Sequence, residues 1–220
     1  MEQVSIQAQI KSAFALILFS AGIAMSISQV FATPVDLQGY VMQVQMTPAV
    51  CSLDQTKKKQ RMCLEGYSLT ITGLIPETTK QQCSTTSSPN LSPLQDKVVA
   101  RVMPDEGARN RLWSGVGGCT GFTASQYFRE IINKAGKLEI PSDLTGVENK
   151  SVQLNTLKNQ FAKLNPTMHK DSIRFNCQSS GKTVLLTGIQ ICYKVNGLYK
   201  QCSNQVVSNC PNSFFIKGSY

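Results

Sequence analysis

The sequence YSLTITGLIPE, residues 67–77, decides the fold of this chain. Residues 68–74 are rich in β-branched and apolar side chains, which predicts a strand that Pro76 should end. A strand of this composition is expected in the centre of a sheet. A second stretch, LWSGVGGCTG at residues 112–121, is rich in glycine and is interpreted as a loop that forms the partner of the first stretch in a site.

The remaining elements indicate an α+β protein. Alternation of apolar and polar residues predicts a first strand over residues 40–47. Three helices are expected to begin at Ser92–Pro93, at a capping box formed by Thr123 and Gln126, and near Ser151. Further strands are predicted over residues 172–177, 183–193, 198–202 and 213–217. Strands on both sides of a block of helices favour a mostly antiparallel central sheet with helices packed on it.

The first 32 residues have the pattern of a secretory signal. An apolar run from Ala13 to Ile27 follows Lys11, and Ala32 ends a small-residue cleavage pattern. The alternative is a retained membrane anchor, although Ser20 and Gly22 interrupt the apolar run. We therefore expect residues 33–220 to form one exported domain with no integral membrane association, located in the bacterial periplasm or secreted.

All eight cysteines lie after residue 32. An even number of cysteines behind an export signal predicts four disulfides formed in an oxidising compartment. Zinc binding is the alternative, but the chain has no CxxC pair and its single histidine is His169. No cofactor is predicted. His169 lies in the polar stretch NPTMHKDS, which favours a surface loop over a catalytic role.

The formal net charge of +9 favours acidic partners such as phosphate backbones, anionic lipids or acidic glycans. Removing residues 1–32 takes away one base and one acid, Lys11 and Glu2, so the charge does not change. The run Lys57-Lys58-Lys59 followed by Arg61 is interpreted either as a phosphate-binding patch or as a solvated loop, and the sequence does not decide between the two.

The order of these features resembles the ribonuclease T2 family, most closely its bacterial periplasmic members. The order is a strand, a cysteine loop, SLTITGLIPE, a helix, LWSGVGGCTG, a capped helix and C-terminal strands ending in NCPNSFFIKGSY. The resemblance extends from residue 38 to residue 220 and implies the ribonuclease T2 fold. In that family the two motifs read roughly FTIHGLWP and HEWEKHGTC, and the histidines of both motifs act on RNA.

The motif positions that carry chemistry in the family hold other residues here. The histidine of the first motif falls on Thr72 and its tryptophan on Ile75. In the second motif the first histidine, the glutamate, the lysine and the second histidine fall in order on Arg111, Leu112, Gly115 and Val116. The residues that do fit the family pattern are Gly73, Leu74, Pro76, Trp113, Gly117 and Cys119.

The resemblance implies a transesterification in which the RNA 2′-hydroxyl attacks phosphorus and a 2′,3′-cyclic phosphate forms. One histidine accepts a proton and another donates one, while the glutamate and lysine stabilise the crowded phosphate. Threonine and valine cannot transfer these protons near neutral pH. One histidine in the whole chain cannot supply a two-histidine site under any alignment. The sequence therefore predicts a pseudoenzyme.

The resemblance also implies four disulfide pairs and a remnant ligand cleft. The implied pairs are Cys51–Cys63, Cys83–Cys119, Cys177–Cys210 and, as the remaining pair, Cys192–Cys202. Glu77 stands where the family often has an acidic residue that touches a base, and the candidate cleft residues are Ile75, Glu77, Arg109, Arg111 and Trp113. The glycines at 115, 117, 118 and 121 are interpreted either as a backbone cradle for phosphate or as a shortened loop.

Three functions follow from this pattern. The first is binding of RNA or oligonucleotides without cleavage, and the second is binding of a protein partner in the bacterial envelope. The third is an endoribonuclease of the T2 type with residual or altered activity.

Overall fold

The computed structural model of this protein describes residues 36–219. The predicted signal segment, residues 1–32, lies outside the described residues, so the predicted boundary after Ala32 remains a prediction. In the described part of the chain, no helix is both long enough and apolar enough to cross a bilayer.

The sheet is mixed and largely antiparallel, as predicted. Its six strands are β1 Leu37–Met46, β2 Leu69–Thr78, β3 Lys150–Gln153, β4 Ile173–Ser180, β5 Thr183–Tyr193 and β6 Ser213–Ile216. The strand order is β2-β1-β5-β6-β3, and β4 pairs with β5 as well. The parallel pairing is that of β5 with β6, at Leu185 and Phe215. The predicted α+β class is confirmed.

The two faces of the sheet differ in polarity because β1 and β5 alternate in register. Met42 lies opposite Ile191 and Val44 opposite Ile189, and all four side chains are buried in the main core. On the other face Gln43 lies opposite Gln190. The apolar face is covered by helices, whereas the amide-bearing face remains accessible.

The strand predicted at residues 68–74 is present, but the prediction that it lies in the centre of the sheet is wrong. Among the described strands β2 pairs with β1 alone, so it is an edge strand, and it continues through Pro76 to Thr78. Proline lacks an amide hydrogen and is tolerated at a sheet edge. The apolar side chains of Ile71 and Leu74 pack in the main core, and the backbone of this edge is covered by other groups. The Ile71 amide donates to the Val102 carbonyl at 2.8 Å, and the Tyr127 hydroxyl bonds both the amide and the carbonyl of Leu74.

Within residues 36–219, six α-helices lie between or beside the strands. They are α1 Thr47–Leu53, α2 Arg61–Leu64, α3 Pro93–Ala100, α4 Glu106–Val116, α5 Ala124–Lys137 and α6 Leu154–Leu164. The predicted start of α3 at Ser92–Pro93 is confirmed, because the Ser92 hydroxyl accepts from the Gln95 amide. The predicted capping box of Thr123 and Gln126 is also present at the start of α5.

Three local predictions are wrong. Residues 112–116 belong to α4 rather than to a loop, and Asp105 caps that helix by accepting from the Ala108 amide at 2.9 Å. Helix α6 begins at Leu154 rather than near Ser151, because residues 150–153 pair with β6. Residues 198–202 form no strand. The chain returns through a wider turn, in which the Lys194 amide donates to the Leu198 carbonyl, and a single bridge joins Tyr193 to Tyr199.

All four implied disulfides are confirmed: Cys51–Cys63, Cys83–Cys119, Cys177–Cys210 and Cys192–Cys202. The segment closed by Cys51–Cys63 is not an open loop. It contains the end of α1, a 3₁₀ helix at Gln55–Lys59 and α2. The Cys83–Cys119 bond ties the loop after β2 to the end of α4, so it holds the first and second motif regions together.

The capping box of α5 provides a first testable prediction. Thr123→Ala should lower the free energy of unfolding by about 1 kcal/mol, because the exposed Thr123 hydroxyl caps the Gln126 amide without contributing to the core. A thermal melt followed by circular dichroism should show a decrease in Tm of roughly 2–4 °C. Thr123→Ser keeps the hydroxyl and should melt close to the unmodified protein. Equal losses in both variants would contradict a capping role.

Candidate functional site

The two motif regions lie side by side in the structure. The residues at the four second-motif positions, Arg111, Leu112, Gly115 and Val116, recur at intervals of four along α4 and share one side of the helix. Helix α4 packs against β2. The Leu112 Cδ1 atom lies 3.0 Å from the position that a Cβ atom on Gly73 would take. Strand β2 and helix α4 thus bring the first and second motif positions to one place.

Thr72 and Arg111 line the same cavity, which has a volume of about 230 Å³ and also contains Lys57. Thr72 is exposed at a bulge between β1 and β2, and its hydroxyl donates to the Gln43 carbonyl over a long distance of 3.4 Å. A guanidinium stays protonated in proteins, and a threonine hydroxyl does not ionise near neutral pH. The cavity therefore offers the basic side chains of Lys57 and Arg111, the Thr72 hydroxyl, and the carboxylate of Asp105, which already accepts from the Ala108 amide.

The other second-motif positions give the site an apolar and open wall. Leu112 and Val116 are half-buried and pack against the main core. A Cβ atom at Gly115 would meet no atom within 4 Å, so the helix surface there is open. None of these three residues can stabilise charge on a phosphate through its side chain.

Two of the predicted cleft residues belong to the core instead. Arg109 is 3% exposed, and its guanidinium bonds the Met103 carbonyl and the Asp96 carboxylate, each at 2.6 Å. It therefore ties α4 to α3. Trp113 is 2% exposed, and its indole Nε1 donates to the Ser87 carbonyl at 3.0 Å. Because of this burial, neither side chain lines the cavity of Thr72 and Arg111.

The other two predicted cleft residues lie further along β2. Glu77 forms an ion pair with Lys200 at 2.7 Å, although the angle is not that of a good hydrogen bond. Glu77 lies five residue steps beyond Thr72, which is roughly 16 Å along an extended strand. Ile75 is half-buried opposite Val41. Glu77 and Ile75 are therefore absent from the walls of the Thr72 cavity.

At Gly115 and Gly118 the structure disagrees with the interpretation of the glycines as a phosphate cradle. Gly115 lies inside α4, and the Gly118 amide donates to the Cys83 carbonyl at 2.8 Å. A Cβ atom on Gly118 would lie 2.5 Å from the Ser84 carbonyl oxygen. Gly117 and Gly118 are needed for the close approach of two chain segments beside the Cys83–Cys119 bond, so the Gly118 amide is not available to a ligand.

A larger depression of about 560 Å³ adjoins the cavity and shares Gln45, Lys57 and Thr72 with it. This second depression runs across the polar face of the sheet. Besides Gln55 on the 3₁₀ helix, its side-chain amides come from three strands: Gln43 and Gln45 on β1, Gln190 on β5, and Asn176 and Gln178 on β4. We refer to the joined depressions as the sheet groove.

The sequence contained a signal for part of the sheet groove. Gln43 and Gln45 alternate with buried apolar residues on β1, which places them on the face opposite the core. The amides of β4 and β5 join them only when the strand order is known. Lys57 was one of four basic residues whose role the sequence left open, and it is the one of that run that lines the groove.

His169 is exposed between α6 and β4, and it lines neither part of the sheet groove. Its position agrees with the surface loop that the sequence favoured. Within residues 36–219 no cluster of three or more histidine, cysteine, aspartate or glutamate side chains is arranged to hold a metal ion.

Comparison with known proteins identifies the fold. No model of a known protein family matches the chain, and no curated protein matches it in sequence. Ribonuclease MC1, an enzyme from bitter gourd seeds, was solved as a mutant with 5′-UMP. It superposes with a TM-score of 0.65 at 17% identity, covering 82% of this chain and 98% of the ribonuclease. The fold is that of the T2 ribonucleases.

Two further structures of T2 ribonucleases support this assignment. RNase NT in complex with 5′-AMP gives a TM-score of 0.62 at 15% identity, over 84% of this chain and all of the ribonuclease (100%). The self-incompatibility-associated SF11-RNase of Nicotiana alata gives 0.62 at 14% identity, over 83% and 100%. At identities of 14–17% these superpositions establish the ribonuclease T2 fold of this chain. They do not establish its activity, which has to be argued from the site.

Proposed function

We propose that this protein is an exported, non-catalytic protein with the ribonuclease T2 fold, and that it binds single-stranded RNA in the sheet groove. The observation that carries the proposal is the cavity where β2 and α4 meet. It is lined by the basic side chains of Lys57 and Arg111 and by the Thr72 hydroxyl, which can bind an anion, and by the Asp105 carboxylate, which caps α4; none of the residues that line it is a histidine. The assignment of Thr72 and Arg111 to catalytic positions rests on the motif resemblance.

The composition of the groove suits a nucleic acid strand. Lys57 and Arg111 supply cations for phosphate at the end where the two depressions meet. The amides of β1, β4 and β5 have donors and acceptors that match the edges of bases, which are accessible only in unpaired RNA. The structural relatives RNase MC1 and RNase NT were solved with mononucleotides, which agrees with a scaffold that accommodates nucleotides. The net charge of +9 favours encounter with RNA.

Binding should be measured by fluorescence anisotropy with a labelled single-stranded RNA of about 12 nucleotides, at several salt concentrations. We expect the logarithm of the binding constant to fall linearly with the logarithm of the salt concentration, with a slope of about −0.7 for each phosphate contact. Absence of binding at low salt would reject the proposal. It would favour the alternative of a protein partner in the bacterial envelope, which a pulldown from a periplasmic extract would then test.

Two substitutions test where RNA binds. Lys57→Ala and Arg111→Ala should each weaken binding by about tenfold, because each removes a charge-assisted contact with phosphate. Each should also reduce the magnitude of the salt slope by about 0.7. Lys59→Ala is the matched control, because Lys59 is exposed on the same 3₁₀ helix but does not line the groove. Three equal effects would point to diffuse attraction by net charge.

A further inference from the structure

A second pocket, of about 460 Å³, lies away from the sheet groove and shares no lining residue with it. It is formed by the C-terminal half of α5, the residues that end α6 and the turn that follows β5. Its volume falls in the range of pockets that hold small organic molecules, which is roughly 300–1,000 Å³. We refer to it as the lysine pocket.

Lys134 is a buried cation in this pocket, with 7% of its side chain exposed. Its Nζ atom lies 4.5 Å from the centre of the Tyr193 ring, and the nearest ion-pair oxygen, Glu130 Oε2, is 3.7 Å away. That distance is longer than a normal hydrogen bond. Burial lowers the pKa of Lys134, and the charge of Glu130 offsets this effect only in part. A buried ammonium is expensive unless it is closely paired, so the position favours an additional anionic partner.

Tyr193 supplies a second polar group. Its hydroxyl is buried; within residues 36–219 it interacts with the neighbouring Tyr199 side chain, but it forms no hydrogen bond of good geometry. Burial raises the pKa of this hydroxyl, so it remains a neutral donor. The neighbouring Tyr199 hydroxyl already donates to Asn165 Oδ1 at 3.3 Å. Buried polar atoms are almost always paired, and this one lines the same pocket as Lys134.

The exposed part of the pocket lining includes apolar residues beside polar ones such as Asn133, Thr167 and Asn196. Leu164 and Leu198 are 43% and 55% exposed, and Pro166 lies beside Leu164 in the lining. The pocket therefore has a buried end, which contains the Lys134 ammonium and the Tyr193 hydroxyl, and an exposed end, which includes large apolar side chains. An oxyanion would bind at the buried end, and an apolar group would lie against the leucines and the proline.

We propose that the lysine pocket binds a small organic anion that has one oxyanion head group and an apolar body. The head group accepts hydrogen bonds from the Lys134 ammonium and the Tyr193 hydroxyl, and the apolar body covers Leu164, Pro166 and Leu198. This function is separate from RNA binding in the sheet groove.

Isothermal titration calorimetry with octanoate, octyl phosphate and the neutral octanol tests the proposal and identifies the head group. We expect saturable binding of at least one anion, and binding of octanol at least about tenfold weaker, because a hydrogen bond to a charged group is lost. Lys134→Met should weaken anion binding about tenfold. The same variant should fold and leave RNA affinity unchanged, because methionine fills the space of the aliphatic chain without a buried charge.

Lys137→Met is the matched control, since Lys137 is an exposed lysine on the same helix that lines the same pocket. It should change anion binding by less than about threefold, as expected for a cation that stays solvated. If Lys134→Met does not fold, Tyr193→Phe removes only the hydroxyl and should weaken anion binding about fivefold. The proposal is overturned if neither anion binds saturably, if octanol binds as tightly, or if the folded variants at 134 and 193 bind like the unmodified protein.

Discussion

Purified protein is expected to leave RNA intact, with a cleavage rate at least about 10⁴-fold below that of an active enzyme of the T2 type. Each lost general acid or base typically costs about 10² to 10⁴ in rate, and the motif resemblance puts the two proton-transferring histidines of the family at Thr72 and Val116. The structure places the exposed Thr72 in a cavity with Arg111, and Val116 one turn beyond Leu112 on α4. The single histidine of the chain, His169, does not line that cavity.

The measurement is an assay for 2′,3′-cyclic phosphate products on labelled RNA. The double variant Thr72→His, Val116→His should raise cleavage by about 10²-fold or more over the unmodified chain, because it returns both proton-transfer groups. The single variant Thr72→His is the control and should remain inactive, since it has a base without an acid. Detectable cyclic phosphate from the unmodified protein would overturn the pseudoenzyme proposal and support the endoribonuclease alternative.

Trp113→Ala should have the largest effect on stability. Trp113 is 2% exposed, its ring lies 5.6 Å from that of Tyr127, and its indole bonds Ser87 in the loop after β2. Truncation of a buried tryptophan costs about 3–5 kcal/mol because it leaves a cavity in the core. Urea unfolding followed by circular dichroism should show this loss, and Tm should fall by roughly 10 °C or more.

Trp113→Phe separates the ring from the hydrogen bond. It keeps most of the apolar volume but removes the Nε1 donor, so we expect a smaller loss of about 1–2 kcal/mol. If Trp113 faced a ligand instead, Trp113→Ala would weaken RNA binding while leaving the free energy of unfolding almost unchanged. Measuring both quantities on the same variant therefore tests its assignment to the core.

The helix starts that depend on neighbouring residues were predicted correctly from the sequence. The capping box at Thr123 and the serine–proline start at Ser92 depend on residues within one helical turn, and both are present. The four disulfides followed from the resemblance to a family. The edge position of β2 was not predicted, because the sequence shows that the strand is apolar but not which groups cover it. Val102 and Tyr127, which are distant in the chain, provide that cover.

The prediction of a loop at residues 112–116 was wrong for a different reason, because it rested on the glycines of residues 112–121 alone. Gly115 lies in a helix that Asp105 caps seven residues before the quoted stretch begins, so the signal for α4 lay outside that stretch. Gly118 allows the close approach of the Cys83–Ser84 backbone, and a Cβ atom on Gly117 would lie 2.5 Å from Thr85 Cγ2. Arg109 could not be separated from Arg111 by residue type, because only the direction of each side chain from α4 decides which one is buried.

The Tyr127 hydroxyl, which donates to the Leu74 carbonyl and accepts from the Leu74 amide, has a consequence for self-association. An uncovered edge strand is a template on which a second polypeptide can form a further strand, and this is a common route to aggregates and fibres. At Leu74 both backbone groups are already occupied, and the Ile71 amide is bonded to Val102. The sheet therefore cannot be extended across this part of β2, and any protein that docks there must do so through side chains.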